Sequence, residues 1–249
     1  MNAEINKTEE KIVLRTEHLK KSFRGNNVLK DVNLFLRKGE SLVVLGKSGS
    51  GKSVLIKCMV RLMDPDDGTT EMLGKNMYAL RAAELNEVRK RTGFLFQGAA
   101  LYDSMSVREN LEFPLRGSEY GSGEIESMVR ESLQKVGLAD AIDKMPSELS
   151  GGMRKRVGLA RALMLKPEIM FYDEPTTGLD TITSREISKL ILEIQRSQNT
   201  ASIIITHDIE CARITANRML ILNEGTCAAE GTFHELENSN EKWVKAFFE

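Results

Sequence analysis

The run Gly46-Lys47-Ser48-Gly49-Ser50-Gly51-Lys52-Ser53 constrains this chain more than any other feature. It fits GxxxxGK[ST] and follows Ser41–Leu45 (SLVVL), an apolar segment of the kind that forms a strand buried on both faces. Beyond it, Leu55, Cys58, Met59 and Leu62 recur at i, i+3, i+4, i+7, the pattern of an amphipathic helix. Strand, glycine-rich loop and helix in that order let backbone N–H groups turn inward around a phosphate with no Cβ in the way. The helix start points its positive dipole end at the same anion. Lys52 is then placed to reach the β- and γ-phosphates of a nucleoside triphosphate, and the Ser53 hydroxyl to ligate Mg²⁺. A Gly/Ser-rich loop matching by coincidence would not need these flanks, so the sequence favours a triphosphate site.

The rest of the chain supplies the sheet such a loop requires. Val13–Glu17 alternates, and Val32, Leu34 and Leu36 share one face at period two. Gly93–Phe96, Ile169–Tyr172 and Ser202–Thr206 repeat the short apolar pattern, and Ile187, Leu190, Ile191 and Ile194 mark a helix between two of them. Strands alternating with helices imply crossover units and an α/β fold with a mainly parallel sheet. Residues 100–165 break that rhythm. Ile125, Met128, Val129, Leu133 and Val136 mark a helix there, with Gly137 placed to end it. We read 100–165 as a helical insertion, residues 218–230 as a hairpin turning at Glu224-Gly225, and residues 1–10 as a loose tail.

Composition excludes several alternatives. Thirty-five Lys+Arg against 36 Asp+Glu leave a net charge of −1, which removes any broad electrostatic case for nucleic acid. Cys58, Cys211 and Cys227 are odd in number and form no CxxC pair, so a reducing compartment fits better than a disulfide framework, and the thiols carry no expected chemistry. The start MNAEINKTEEK lacks the apolar core of a signal peptide. No apolar run approaches the ~18 residues of a spanning helix, so membrane work would need another chain.

A second motif places hydrolysis. Ile169–Tyr172 ends in Asp173-Glu174. At a strand end both acids can reach the phosphate edge, Asp173 to hold Mg²⁺ and Glu174 to polarise the attacking water. Alone, the pair would read as an ordinary strand end. A third motif, Leu149-Ser150-Gly151-Gly152-Met153, offers an N-cap serine and two glycines at a helix start, a second anion site distinct from the first. Arg154-Lys155-Arg156 after it reads as a solvated helix face. Trp243, Phe247 and Phe248 read as a tail packed on its own domain.

In this order and spacing, the residues resemble the ATP-binding-cassette (ABC) ATPases over nearly the whole chain. LSGGM at 149–153 resembles the family signature, Gln97 the Q-loop glutamine, Thr177-Gly178-Leu179-Asp180 the D-loop, and Ile205-Thr206-His207-Asp208 the switch histidine. Phe23 lies where the family has an aromatic that stacks on adenine. The resemblance implies a P-loop NTPase (RecA-like) core with an antiparallel β subdomain and a helical signature subdomain. It implies one domain over 11–249, with 11–99 and 166–249 as core and 100–165 as the helical part. It also implies ATP and Mg²⁺ as cofactors, with Gln97 and His207 contacting Mg²⁺ and the γ-phosphate respectively. Two copies would pair head to tail, so that Ser150, Gly151 and Gly152 of one close on ATP held by the other, with Asp180 at the contact. Met153 and Phe23 depart from the family's commoner Gln and Tyr; Phe keeps the stacking face.

Two function classes remain open at this level: the ATPase subunit of a membrane transporter, or a soluble ABC protein acting on ribosomes or DNA ends. A single cassette without a heptad run favours the first. Residues 98–111 and Leu149–Val157 resemble the Mla-type, Mce-linked phospholipid transport ATPases. The alternative is an importer ATPase for amino acids or another small polar solute. The implied partners are a second copy, integral membrane permease subunits, a small regulatory subunit and an Mce-domain lipid-binding protein, with no nucleic acid. The implied location is cytoplasmic, on the inner face of the cell membrane. Tyr102 and Met105 are expected to line a groove that receives a permease helix; packing within the insertion is the rival reading.

Overall fold

Two long strands open the described part of the chain, residues 11–248 of a computed structural model. β1 (Ile12–Phe23) and β2 (Asn26–Arg37) pair antiparallel around a tight turn at Arg24 and Gly25. Both turn residues have positive φ, at 48° and 84°, which matches the right-handed twist of the flanking strands. β3 (Ser41–Leu45) is buried at every residue, as its unbroken apolar run requires, and leads into α1 (Lys52–Met59). β4 (Asp67–Met72), β5 (Lys75–Asn76), α2 (Ala82–Lys90) and β6 (Thr92–Leu95) follow. The chain is then helical, in α3 (Val107–Glu112), α4 (Ser122–Lys135) and α5 (Gly151–Leu163). It returns to the sheet through β7 (Ile169–Asp173), α6 (Thr181–Gln198), β8 (Ala201–Thr206), α7 (Ile209–Thr215), β9 (Arg218–Asn223) and β10 (Thr226–Gly231), and ends in α8 (Phe233–Glu237) and α9 (Lys242–Lys245).

Among the described residues the strands form one ten-stranded sheet in the order β5-β4-β1-β2-β10-β9-β3-β8-β7-β6. From β9 to β6 every neighbour is parallel, while β1, β2, β4 and β5 pair antiparallel at the other end. This is the P-loop NTPase α/β arrangement. β8 lies between β3 and β7, so the glycine-rich loop and the Asp173-Glu174 strand end are one strand apart along the same edge.

The strand alternation divides the core in two. Val43, Leu45, Met170, Tyr172 and Ile204 face one side, where they join the helical segment through Leu111, Val129, Leu133 and Val157. Leu42, Val44, Phe171, Ile203 and Ile205 face the other, against α1 and the antiparallel strands. Val32, Leu34 and Leu36 are buried on that second side, as their period predicts.

Two local expectations change, at Leu62 and Trp243, while the expected Gly137 helix end and the Glu224-Gly225 turn are found. α1 stops at Met59 because Arg61 takes a positive φ of 54°, so Leu62 falls outside the helix and is exposed. Gly137, at φ 69°, sits just beyond α4. Glu224 and Gly225 form the β9–β10 turn, with φ of 46° and 80°. α3 carries a capping box between Ser106 and Glu109. Phe247 and Phe248 are half-buried against the first core cluster, whereas Trp243 is 36% exposed. The expected tail at 1–10 lies outside the described residues.

Candidate active site

The glycine-rich loop folds as its spacing demands. Gly49 and Gly51 have φ of 79° and 99°, and a Cβ on Gly51 would meet Val28 Cγ1 at 3.0 Å. A Cβ on Gly46 would lie 2.6 Å from Ser50 Oγ and 2.8 Å from the Leu222 carbonyl. The backbone therefore curls where side chains would block it. Lys52 is buried, and its Nζ donates to the carbonyls of Gly46 at 2.7 Å and Lys47 at 3.1 Å. Among the described residues the buried Ser50 hydroxyl has no partner. A glycine-rich loop with an unpartnered buried hydroxyl and a lysine resting on its own carbonyls fits an oxyanion of phosphate size.

The two acids meet this loop from β7. Ser53 Oγ donates to Asp173 Oδ1 at 3.0 Å. Burial raises the Asp173 carboxyl above its usual range; the Ser53 hydrogen bond pulls the other way, and the nearby Glu174 charge adds to the rise. Glu174 is at φ 51°, a left-handed turn that brings its carboxylate to the same edge as Asp173 instead of the opposite face. That carboxylate is buried and surrounded. Oε1 lies 3.4 Å from Lys52 Nζ, and Oε2 accepts from Thr177 Oγ1 at 3.1 Å and from His207 Nδ1 at 2.8 Å. An ionised carboxylate only accepts, so the Nδ1–H must point at Glu174, and Nε2 is the ring nitrogen left for a ligand.

Among the described residues no three His, Cys, Asp or Glu side chains form a metal-holding group. A divalent cation here would rest on Asp173, Ser53 and substrate phosphate oxygens, the sparse all-oxygen donor set that Mg²⁺ accepts.

The other expected residues lie around this centre. Phe23 ends β1 and is 41% exposed, with Lys21 Nζ 5.6 Å from its ring centre. Gln97 is exposed beyond β6 and joins the cluster through its backbone carbonyl. Ser150 caps α5, its Oγ accepting from Met153 N at 3.3 Å. Gly151 and Gly152 abut Leu179 and Thr183, not the glycine-rich loop. Asp180 is exposed and caps α6 through Ile182 N and Thr183 N, both at 3.0 Å; the Thr183 hydroxyl chiefly holds its carboxyl below the usual range. So one chain brings together residues 46–53, Asp173, Glu174 and His207, and leaves Ser150–Gly152 with different neighbours.

The reading of Arg154-Lys155-Arg156 as a solvated face is corrected. Arg154 is exposed, but Lys155 is only 5% exposed, and its Nζ donates to the carbonyls of Gln97 and Glu174. Thr177 was also missed as a partner of Glu174. Only the i, i+3, i+7 spacing of Lys155, Gly158 and Ala162 hinted that Lys155 shares the buried stripe.

The ABC transporter family model matches residues 29–177. This chain belongs to the ABC transporter family. It is an ABC ATPase, and ATP is the nucleotide it binds. A probable ribonucleotide transport ATP-binding protein, mkl, of Mycobacterium leprae is 39% identical over 237 residues, covering 95% of this chain and 68% of that protein. TRIGALACTOSYLDIACYLGLYCEROL 3, chloroplastic, of Arabidopsis thaliana is 37% identical over 254 residues, covering 95% and 73%. The ABC ATPase also resembles a dimeric post-hydrolysis structure of the ATP-binding cassette MJ0796 bound to ADP and Pi. There the TM-score is 0.81 at 29% identity, covering 88% of this chain and 98% of that one. No described helix is long and apolar enough to cross a membrane.

Proposed function

We propose that this ABC ATPase energises a membrane transporter of phospholipid or related lipid, through closure and reopening of a head-to-tail homodimer. The carrying observation for the chemistry is the Glu174 carboxylate, fixed by His207, Thr177 and Lys52 beside the loop at 46–53. In this reading Gly46 to Ser53 hold the phosphates, and Lys52 exchanges its two loop carbonyls for phosphate oxygens. Phe23 stacks on adenine. Glu174 accepts a proton from the attacking water, and His207 offers its second ring nitrogen to the γ-phosphate. Ser53, Asp173 and Gln97 would hold Mg²⁺, which would offset phosphate charge. Ser150, Gly151 and Gly152 complete the site of a second copy, since within one chain they abut Leu179 and Thr183. The dimeric MJ0796 cassette supports that pairing.

The lipid assignment draws on the Arabidopsis relative, whose name is that of a glycolipid, and on the Met-containing LSGGM segment. The mycobacterial relative is named for ribonucleotide transport, which favours a polar solute as the second reading. The proposed location is the cytoplasmic face of a membrane, bound to permease subunits, an Mce-domain protein and a small regulatory subunit. Affinity capture of the tagged chain from detergent-solubilised membranes of its native host tests this. Co-capture of an integral membrane protein with an Mce-domain protein is the expected result. A solute-binding protein in place of the Mce-domain protein would overturn the lipid reading.

A further inference from the structure

Lys155 is a buried cation with no carboxylate at ion-pair distance among the described residues. Its ammonium donates to two backbone carbonyls, those of Gln97 and of Glu174, the latter at 3.2 Å. Burial is the largest influence on it and pushes its pKa down, while the charges of Asp173 and Glu174 act in the opposite sense. Taking an ammonium out of water for neutral carbonyls is costly, and what offsets the cost is two charge-assisted hydrogen bonds to backbone acceptors.

One of these carbonyls belongs to strained backbone, and the other lies two residues before a second strained stretch. Glu174 is left-handed at φ 51°, and the segment after Gln97 has two successive left-handed alanines, Ala99 and Ala100, at φ 61° and 50°. Each such residue costs about 1–2 kcal/mol and persists only where its surroundings hold it. The Glu174 N–H donates to Ile205 O at 2.9 Å; its carbonyl takes Lys155 Nζ and a longer 3.3 Å bond from Thr177 N. The rest of the α5 face follows the same segment. A Cβ on Gly158 would lie 3.0 Å from Ala99 Cβ, and Arg161 Nη2 donates to the Ala99 carbonyl at 3.0 Å. Lys155, Gly158 and Arg161 recur every three residues along the helix that Ser150 caps.

We propose that Lys155 is a positioning residue for ATP hydrolysis: one ammonium ties the helix that begins at Ser150 to the Gln97 peptide and to the Glu174 peptide. A movement of α5 or of the segment after β6 then re-aims the Glu174 carboxylate. The proposal rests on Glu174 being the base.

The test is steady-state hydrolysis by the full-length chain carrying Lys155→Met, with affinity measured by a fluorescent ATP analogue and folding by thermal melt. The expected result is a kcat lowered roughly 10- to 100-fold, with KM and nucleotide affinity within about threefold and the melting temperature within about 5 °C of the parent chain. Lys155→Arg, which keeps donors for both carbonyls, should recover at least about tenfold over Lys155→Met. An unchanged kcat overturns the proposal, as does a loss of kcat, affinity and melting temperature together. If Lys155→Met does not fold, Lys155→Gln takes its place, and failure of both to fold also counts against a positioning role. Glu174→Gln in the same assay separates the two readings. Full turnover by that variant removes the base itself; an inactive Glu174→Gln beside a fully active Lys155→Met removes only the tie.

Discussion

His207 Nδ1 lies 2.8 Å from Glu174 Oε2, so a half-exposed imidazole is oriented by a buried carboxylate 33 residues earlier in the chain. The bond does two things at once: it selects the ring nitrogen that faces the ligand, and it fixes the rotamer of the proposed base. Glu174→Gln should therefore keep ATP affinity within a few-fold and lower turnover by about 10² or more, because an amide accepts no proton. His207→Ala should lower turnover less, by about tenfold to a hundredfold. Lys52→Ala should instead weaken binding, since its ammonium leaves the loop. Fluorescent-nucleotide titration beside phosphate-release kinetics checks all three. Near wild-type turnover in Glu174→Gln would exclude it as the base.

Ser150–Gly152 and the 46–53 loop have separate neighbours within one chain, so their meeting requires a second copy. Cysteines placed at Ser50 and Gly151 in a background lacking Cys58, Cys211 and Cys227 should form a disulfide between chains, only with ATP and with hydrolysis blocked. Non-reducing electrophoresis reads this as a dimer band. Crosslinking confined to monomers would rule out the head-to-tail arrangement.

Tyr102 is 44% exposed, its ring 4.7 Å from Phe113 and 5.8 Å from the Arg161 guanidinium carbon. Asn110 is fully buried beneath and holds the loop through the carbonyls of Tyr102, Met105 and Ser106. The loop shape thus depends on Asn110 and not on the tyrosine ring. Tyr102→Asp should keep the melting temperature of the isolated chain within about 2 °C and release it from the membrane fraction. Met105 is half-buried, so Met105→Asp should also lower stability. A stable Tyr102→Asp that stays with the membrane complex would exclude the docking role.

Burial pushes the thiols of Cys58 and Cys227 up to about 11 and that of Cys211 up to about 12. At pH 8 the Cys211 thiolate fraction is then on the order of 10⁻⁴, so a thiol reagent should label it only on unfolding. Folded values above the unfolded ones mean that this contribution to stability is present below pH 9. It is lost as pH rises, because the unfolded chain releases those protons first. Mass-resolved labelling with and without denaturant, and melting curves between pH 8 and 11, check both statements. Rapid native labelling of Cys211 would contradict its burial.

The phosphate loop was legible because its chemistry is local. Gly49 and Gly51 need positive φ, and an apolar strand must precede them whatever the rest of the chain does. Ile187, Leu190, Ile191 and Ile194 were legible for a similar reason, since one period describes one face. The end of α1 was not, because Arg61 takes a left-handed conformation that a non-glycine residue does not announce. Nor was the fate of Lys155. Arg-Lys-Arg looks the same in sequence whether its middle residue meets water or two carbonyls, and those carbonyls come from positions 97 and 174. The sequence alone determined which segments could bind phosphate, since conformational preference and periodicity act over a few residues. Only the tertiary structure decided which cation is buried and how Ser53 meets Asp173 across 120 residues. It also decided that Glu174 turns toward Lys52 and His207. Desolvation and hydrogen-bond partners are properties of the packed chain, fixed by segments that the sequence holds far apart.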